Sequence, residues 1–279
     1  MSIRTISLLC CLFCSVSFAW NDGLADDPNV IALYRFENGA LTVDSSGNGN
    51  TLTPVNTPDA NTVDYKEGAA SGNFIRASEE AYTVTDGNLS VKFPYKNGQT
   101  SQPFSVTCWA RLIKDDTDPF WIAHKDSLHV GTKGWGLYFN GAAKNAKLAI
   151  DTNPLGGSGL VCNWPTGADE YKWYFVAVMV DEVGTLITTY MHVWDQDAGT
   201  SLGGSLDQTG TQDDANTLTG NTMQFSVGAA TANPFLYEYN GQIDELVIWD
   251  YAISMDDVND LKIGEYGGGG GQIMPVVFN

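Results

Sequence analysis

Between Trp20 and Tyr251 the hydrophobic positions fall in short runs rich in β-branched and aromatic residues. Clusters of Gly, Asn, Asp and Pro separate the runs, and no amphipathic helix of ordinary length interrupts them. That texture predicts an all-β fold with two packed antiparallel sheets, a jelly roll of about a dozen strands in one domain. Phe104 to Leu112 is the clearest strand: Phe104, Val106, Cys108, Ala110 and Leu112 share one face, and Thr107, Trp109 and Arg111 share the other. Trp173 to Val180 and Leu186 to Trp194 are apolar on both faces, which predicts central strands joined by a turn at Asp181 to Thr185. Further strands are expected over Phe120 to His124, Gly136 to Asn140, Lys147 to Asp151, Met223 to Ala229 and Gln242 to Asp250.

One helix is predicted, at Ser254 to Lys262. Ser254 can cap it, Asp257 stands three residues on as the acidic half of a capping box, and Met255, Val258 and Leu261 form its apolar stripe. Gly264 then offers a left-handed stop. Five glycines follow at Gly267 to Gly271, a hinge or linker ahead of an apolar tail that reads either as disordered or as a strand for some sheet edge.

The first nineteen residues carry Arg4, an apolar run from Ile6 to Phe18, and small residues at Ser17 and Ala19. They read as a secretory signal, since the run is shorter than the roughly 20 residues a bilayer span needs. The expected layout is therefore a signal peptide at 1–19, a sandwich domain at 20–266, and a glycine-rich linker with its tail at 267–279.

Charge narrows the partners. The formal net charge is −19, and about −20 once Arg4 has left with the signal. Nucleic acid and anionic membrane surfaces are repelled by such a field. A polysaccharide, a glycoconjugate or an extracellular protein remains, with no membrane insertion. Three of the five cysteines also leave with the signal. Cys108 and Cys162 then stand either as a disulfide or as two buried thiols.

Six motifs in order carry a resemblance. Tyr34-Arg35-Phe36-Glu37 runs into the turn Asp44 to Asn48; then come the Phe104 strand, Gly134 to Asn140, Lys172 to Asp181, and Gly241-Gln-Ile-Asp-Glu-Leu-Val-Ile-Trp249. This series resembles the laminin G-like, concanavalin A-like lectin/glucanase superfamily over nearly the whole mature chain. The resemblance implies a jelly roll and a secreted binding module, since only a minority of such proteins are glycanases or lyases. It also implies a structural calcium where the first and last strands meet, with Glu37, Asp44, Asn48 and Asp244 as ligands. Hard cations take six to eight oxygens, which Asp, Asn and Ser loops supply. Alternatively, Asp44 and Asn48 only satisfy turn amides and Asp244 accepts backbone N–H groups.

Catalysis finds less support. Glucanase-type hydrolysis needs two carboxylates about 5 to 9.5 Å apart. By strand alternation Asp244 and Asp250 share a face but lie roughly 20 Å apart, while Asp244 and Glu245 point to opposite faces. The three histidines show no metal-ligand spacing, and no phosphate loop or nucleophile elbow occurs.

The expected function is thus a non-catalytic lectin-like module for glycan or another surface polymer, the alternatives being an adhesive protein that makes protein contacts and a hydrolase or lyase. Sugar stacking calls for loop aromatics. The candidates are Trp164 in the loop Asp151 to Pro165, and Phe235, Tyr237 and Tyr239 in the loop Thr231 to Tyr239.

Overall fold

A computed structural model describes residues 22–100, 102–113, 119–125, 134–140, 145–151, 160–163, 170–183, 186–196, 200–201, 206–211, 220–230 and 237–266. The signal segment and the glycine-rich tail, like Trp164 and Phe235, lie outside the described residues. Among the described residues sixteen strands appear in chain order. The first eight are β1 (Val30–Tyr34), β2 (Thr53–Val55), β3 (Asp59–Asn61), β4 (Ser71–Phe74), β5 (Ala81–Val84), β6 (Phe104–Leu112), β7 (Pro119–Lys125) and β8 (Gly134–Asn140). The rest are β9 (Asn145–Asp151), β10 (Leu160–Asn163), β11 (Trp173–Val183), β12 (Leu186–Asp195), β13 (Thr200–Ser201), β14 (Leu206–Thr211), β15 (Phe225–Val227) and β16 (Gly241–Trp249).

They pair in two antiparallel sheets. The nine-stranded sheet runs β13-β12-β11-β6-β16-β4-β3, with β1 added on β16 and β14 on β12; the seven-stranded sheet runs β10-β9-β8-β7-β15-β5-β2. The alternation of β6 is realised as read. Phe104, Val106, Cys108, Ala110 and Leu112 join the core between the sheets, and Trp109 joins a second apolar cluster on the outer face of the nine-stranded sheet.

That second cluster explains why β11 is apolar on both sides. Phe175 and Ala177 of β11 meet Val30, Leu33, Trp249 and the helix α1 (Met255–Leu261). The helix starts as its sequence dictates: Ser254 Oγ accepts the Asp257 N–H (3.1 Å) and Asp257 Oδ2 accepts the Ser254 N–H (2.9 Å). Its buried side chains are Val258 and Leu261. β11 extends past the expected turn, since Val183 still pairs with Leu186 of β12.

Two expectations are corrected by the sandwich. Cys108 is a free, buried thiol whose pKa burial pushes up, so the bridge to Cys162 is not formed. β10, which carries Cys162, packs beside β12 and β14, and β12 stands two strand positions from β6. Two strand spacings are about 10 Å, beyond the roughly 7 Å that a disulfide spans between Cα atoms.

The second correction concerns β16. Asp244 lies opposite Trp109 and Val247 opposite Thr107, so three steps on β16 match two on β6. Glu245 is the extra residue, held at φ +44°, and this bulge reverses the alternation beyond it. Ile243, Leu246 and Ile248 all reach the inner core, while Val247 and Trp249 face outward. Asp244 and Asp250 therefore do not share a face. Asp250 lies past the strand end and pairs with Lys92 at 2.6 Å.

Candidate functional site

The acidic turn after β1 closes on itself. Asp44 Oδ1 accepts the Leu33 N–H (3.1 Å), the Ser46 N–H (3.0 Å) and the Ser46 hydroxyl (2.7 Å). Its Oδ2 accepts the Asn50 N–H (2.8 Å) and side-chain amide (3.0 Å). Asn48 donates its amide to the Val30 carbonyl at 2.8 Å. Glu37 accepts the Ala69 N–H, and Asp244 accepts those of Lys66 (2.8 Å), Glu67 (3.1 Å) and Glu245 (2.9 Å). These four residues serve separate sets of donors. Among the described residues no three or more His, Cys, Asp or Glu side chains stand where they could hold a metal.

Hydrogen bonding is the role the geometry gives the turn. Asp44→Ala is expected to cost roughly 2 to 4 kcal/mol, because several buried donors lose a charged acceptor together. Denaturant melts with calcium and with chelator should show the same loss. A loss that appears only in calcium would put an ion at the turn instead.

Asp244 and Glu245 are likewise engaged. Asp244 is fully buried, and desolvation followed by the charge of Glu245 holds its carboxyl well above the usual range. Glu245 pairs with Arg35 at 3.1 Å; burial still pushes its pKa up to about 8, although the guanidinium opposes the shift.

Of the loop aromatics read from the sequence, Tyr239 is core. It is fully buried, donates its N–H to the Gly228 carbonyl (2.6 Å), and packs edge-on against Phe74 with ring centroids 6.2 Å apart. It cannot stack on a ligand. Tyr237, two residues earlier, is half-buried in a left-handed conformation (φ +57°), and its carbonyl accepts the Trp121 N–H at 3.2 Å.

That contact leads to the outer face of the seven-stranded sheet, where an aromatic row was not evident from the sequence. Trp121 of β7 lies opposite Tyr138 of β8, Tyr138 opposite Lys147 of β9, and Lys147 opposite Asn163 of β10. Their neighbours Phe120, Phe139, Ala146 and Leu148 belong to the inner core, so strand alternation turns Trp121, Tyr138 and Lys147 outward. The Trp121 and Tyr138 rings are 4.4 Å apart at 38°.

Beside this row lies a second one of small residues, with Gly136 opposite Ala149. The Trp121 ring leans over Gly136, where an added Cβ would come within 1.9 Å of it. Gly136 is thus required to be small. Trp121 is buried, and its indole N–H has no acceptor. Tyr138 and Lys147 are half-buried.

Of the loop aromatics singled out in the sequence, Tyr237 touches Trp121 at one end of this row. Residues 42 positions apart in sequence are set side by side by four strands, and only the register of those strands reveals it. A usable signal did exist: Trp121, Tyr138 and Lys147 each sit between apolar neighbours that turn to the core.

A laminin G-type family model, described as Concanavalin A-like lectin/glucanases superfamily, matches residues 85–259. No curated protein sequence matches the chain. Among solved structures the chain is similar to one of botulinum neurotoxin type C, described as entering cells through two ganglioside molecules. The identity is 14% and the TM-score 0.54, over 86% of this chain and 51% of that one. It is also similar to a Trypanosoma rangeli sialidase mutant displaying trans-sialidase activity, at 10% identity and TM-score 0.50, over 86% of this chain and 34% of that one. A Ruminococcus gnavus sialidase module, CBM40, bound to sialyllactose shows 12% identity and TM-score 0.41, over 56% and 80%. At these identities the likeness is one of fold, and the chain spans about half the length of the neurotoxin chain it matches.

Proposed function

From the premise that the chain belongs to the concanavalin A-like lectin/glucanase superfamily, we propose that it is a secreted, non-catalytic lectin-like module that binds glycan through the outer face of its seven-stranded sheet. One observation carries this reading: the Trp121 and Tyr138 rings, 4.4 Å apart, turn to the outer face of adjacent strands, where Tyr138 is half-buried over the buried Trp121. Flat rings of this kind match the apolar face of a pyranose, with a few polar groups fixing orientation. Tyr237 adjoins this face through Trp121, and Trp164 and Phe235 are proposed as further sugar contacts from their place in the sequence.

The non-catalytic part is supported by what the acids do. Asp244 is committed to three backbone N–H groups and Glu245 to Arg35, so neither is poised as half of a hydrolytic pair. Secretion is supported by the leading apolar segment and by the acidic composition. Among the described residues no helix is long and apolar enough to cross a membrane.

The test is a glycan array followed by titration of any hit against Tyr138→Ala. Loss of the stacking ring is expected to weaken binding by roughly 1 to 3 kcal/mol, about 5- to 150-fold, with an unchanged circular-dichroism melt. Equal affinity of the variant would move the site elsewhere. A blank array would return the module to protein contacts.

A further inference from the structure

Lys147 stands out electrostatically. Acidic residues outnumber basic ones by 33 to 14, and most of the described cations are held by acids or rings. Lys92 pairs with Asp250, Lys125 with Asp86 and Arg111 with Asp64, while Lys66 and Lys262 lie over tryptophan rings. No carboxylate among the described residues pairs with Lys147, although it is half-buried on the sheet face directly opposite Tyr138. Lys147 and the half-buried Tyr138 thus stand side by side on the sheet face, one strand spacing or about 5 Å apart.

We infer that the ligand is an acidic saccharide, one whose ring bears a carboxylate. The carboxylate pairs with Lys147 and the sugar face lies on Tyr138. This inference rests on the glycan-binding reading of the same row and adds the charge of the sugar to it. The acidic field of the whole chain does not forbid such a ligand. At physiological ionic strength the Debye length is about 8 Å, so a contact pair at Lys147 acts inside the distance over which the remote acids are screened. Long polyanions meet more of the repulsive field, which makes short oligosaccharides the right probe.

Calorimetric titration of the mature chain compares oligogalacturonides with their methyl esters, and sialyllactose with its methyl ester. Within each pair only the carboxylate differs in kind. The unmodified protein is expected to bind at least one acid form about 10- to 100-fold more tightly than its neutral counterpart. Whether the uronate, the sialoside or both are preferred identifies the source of the carboxylate. Lys147→Met, which keeps an unbranched stem on the sheet, should bring acid and neutral forms within about twofold of each other with an unchanged melt. Equal binding of acid and neutral forms by the unmodified protein overturns the inference but spares the glycan reading, and so does discrimination that survives Lys147→Met. Failure of every acidic and neutral sugar to bind sinks both.

Discussion

The stability of this sandwich is expected to fall as the pH rises from about 6.5 to about 8.5, and Glu245→Gln is expected to remove most of that fall. Glu245 sits at the β16 bulge with one oxygen on Arg35 at 3.1 Å and the other buried without a partner. Arg35 must also balance Glu67 and Glu37, whose charges raise the pKa of Glu245 further after desolvation has raised it most. Glu245 is pushed up to about 8 and Glu67 to about 7, against an ordinary 4.5.

Between the ordinary and the raised values the folded chain therefore holds more protons than the unfolded one. Stability then declines with rising pH until the folded values are passed, above about 8. His192 acts in the opposite sense, because burial lowers its pKa to about 4, but its contribution is complete above about pH 6.5. At about 1.4 kcal/mol per unit, Glu245 alone accounts for roughly 2 kcal/mol between pH 6.5 and 8. For a domain of this size that is about 4 to 8 °C in melting temperature. General repulsion among the acids has the same sign but survives Glu245→Gln, so the difference between the two profiles isolates the cluster. Parallel profiles for the two proteins would show that Glu245 is already ionised.

Lys125→Ala is expected to be the most damaging single replacement of a charged residue, at roughly 3 to 5 kcal/mol. The Lys125 side chain is fully buried at the end of β7. Its ammonium donates to Asp86 Oδ1 (2.9 Å), Asn221 Oδ1 (3.1 Å), and the carbonyls of Asn221 (3.3 Å) and Met223 (2.5 Å). One cation thus ties β7 to the segment after β5 and to the one before β15. Truncation leaves a carboxylate and two carbonyls facing an emptied space, and the uncompensated charge is the larger part of the cost. Lys125→Ala combined with Asp86→Asn should recover part of the loss, since no lone charge then remains. Urea melts of the single and double variants measure this directly. A single-variant loss below about 1 kcal/mol would mean that water replaces the ammonium.

Much of the fold is legible in the sequence because its signals are local. The two-residue period of Phe104 to Leu112 is a property of one strand, and it assigns inside and outside correctly. The capping box at Ser254 and Asp257 closes within four residues. The Asp44 to Asn50 turn is also local: its carboxylate finds the nearby donors of Ser46 and Asn50.

Tertiary structure decided what depends on strand neighbours. Tyr239 is a loop aromatic by sequence and a core residue by placement against Phe74. The bulge at Glu245 inverts the faces of β16 because β6 sets the register, and no residue within β16 announces that. Cys108 and Cys162 are kept apart by the order of strands between β6 and β12. The aromatic row from Trp121 through Tyr138 to Lys147 belongs to the same class, since each strand contributes one residue and only the hydrogen-bond ladder aligns them. The chain by itself fixes which residues alternate and where turns cap, because those interactions span a few residues. Which rings, charges and thiols become neighbours is fixed by long-range backbone pairing, in which a shift of one residue exchanges the faces of a strand.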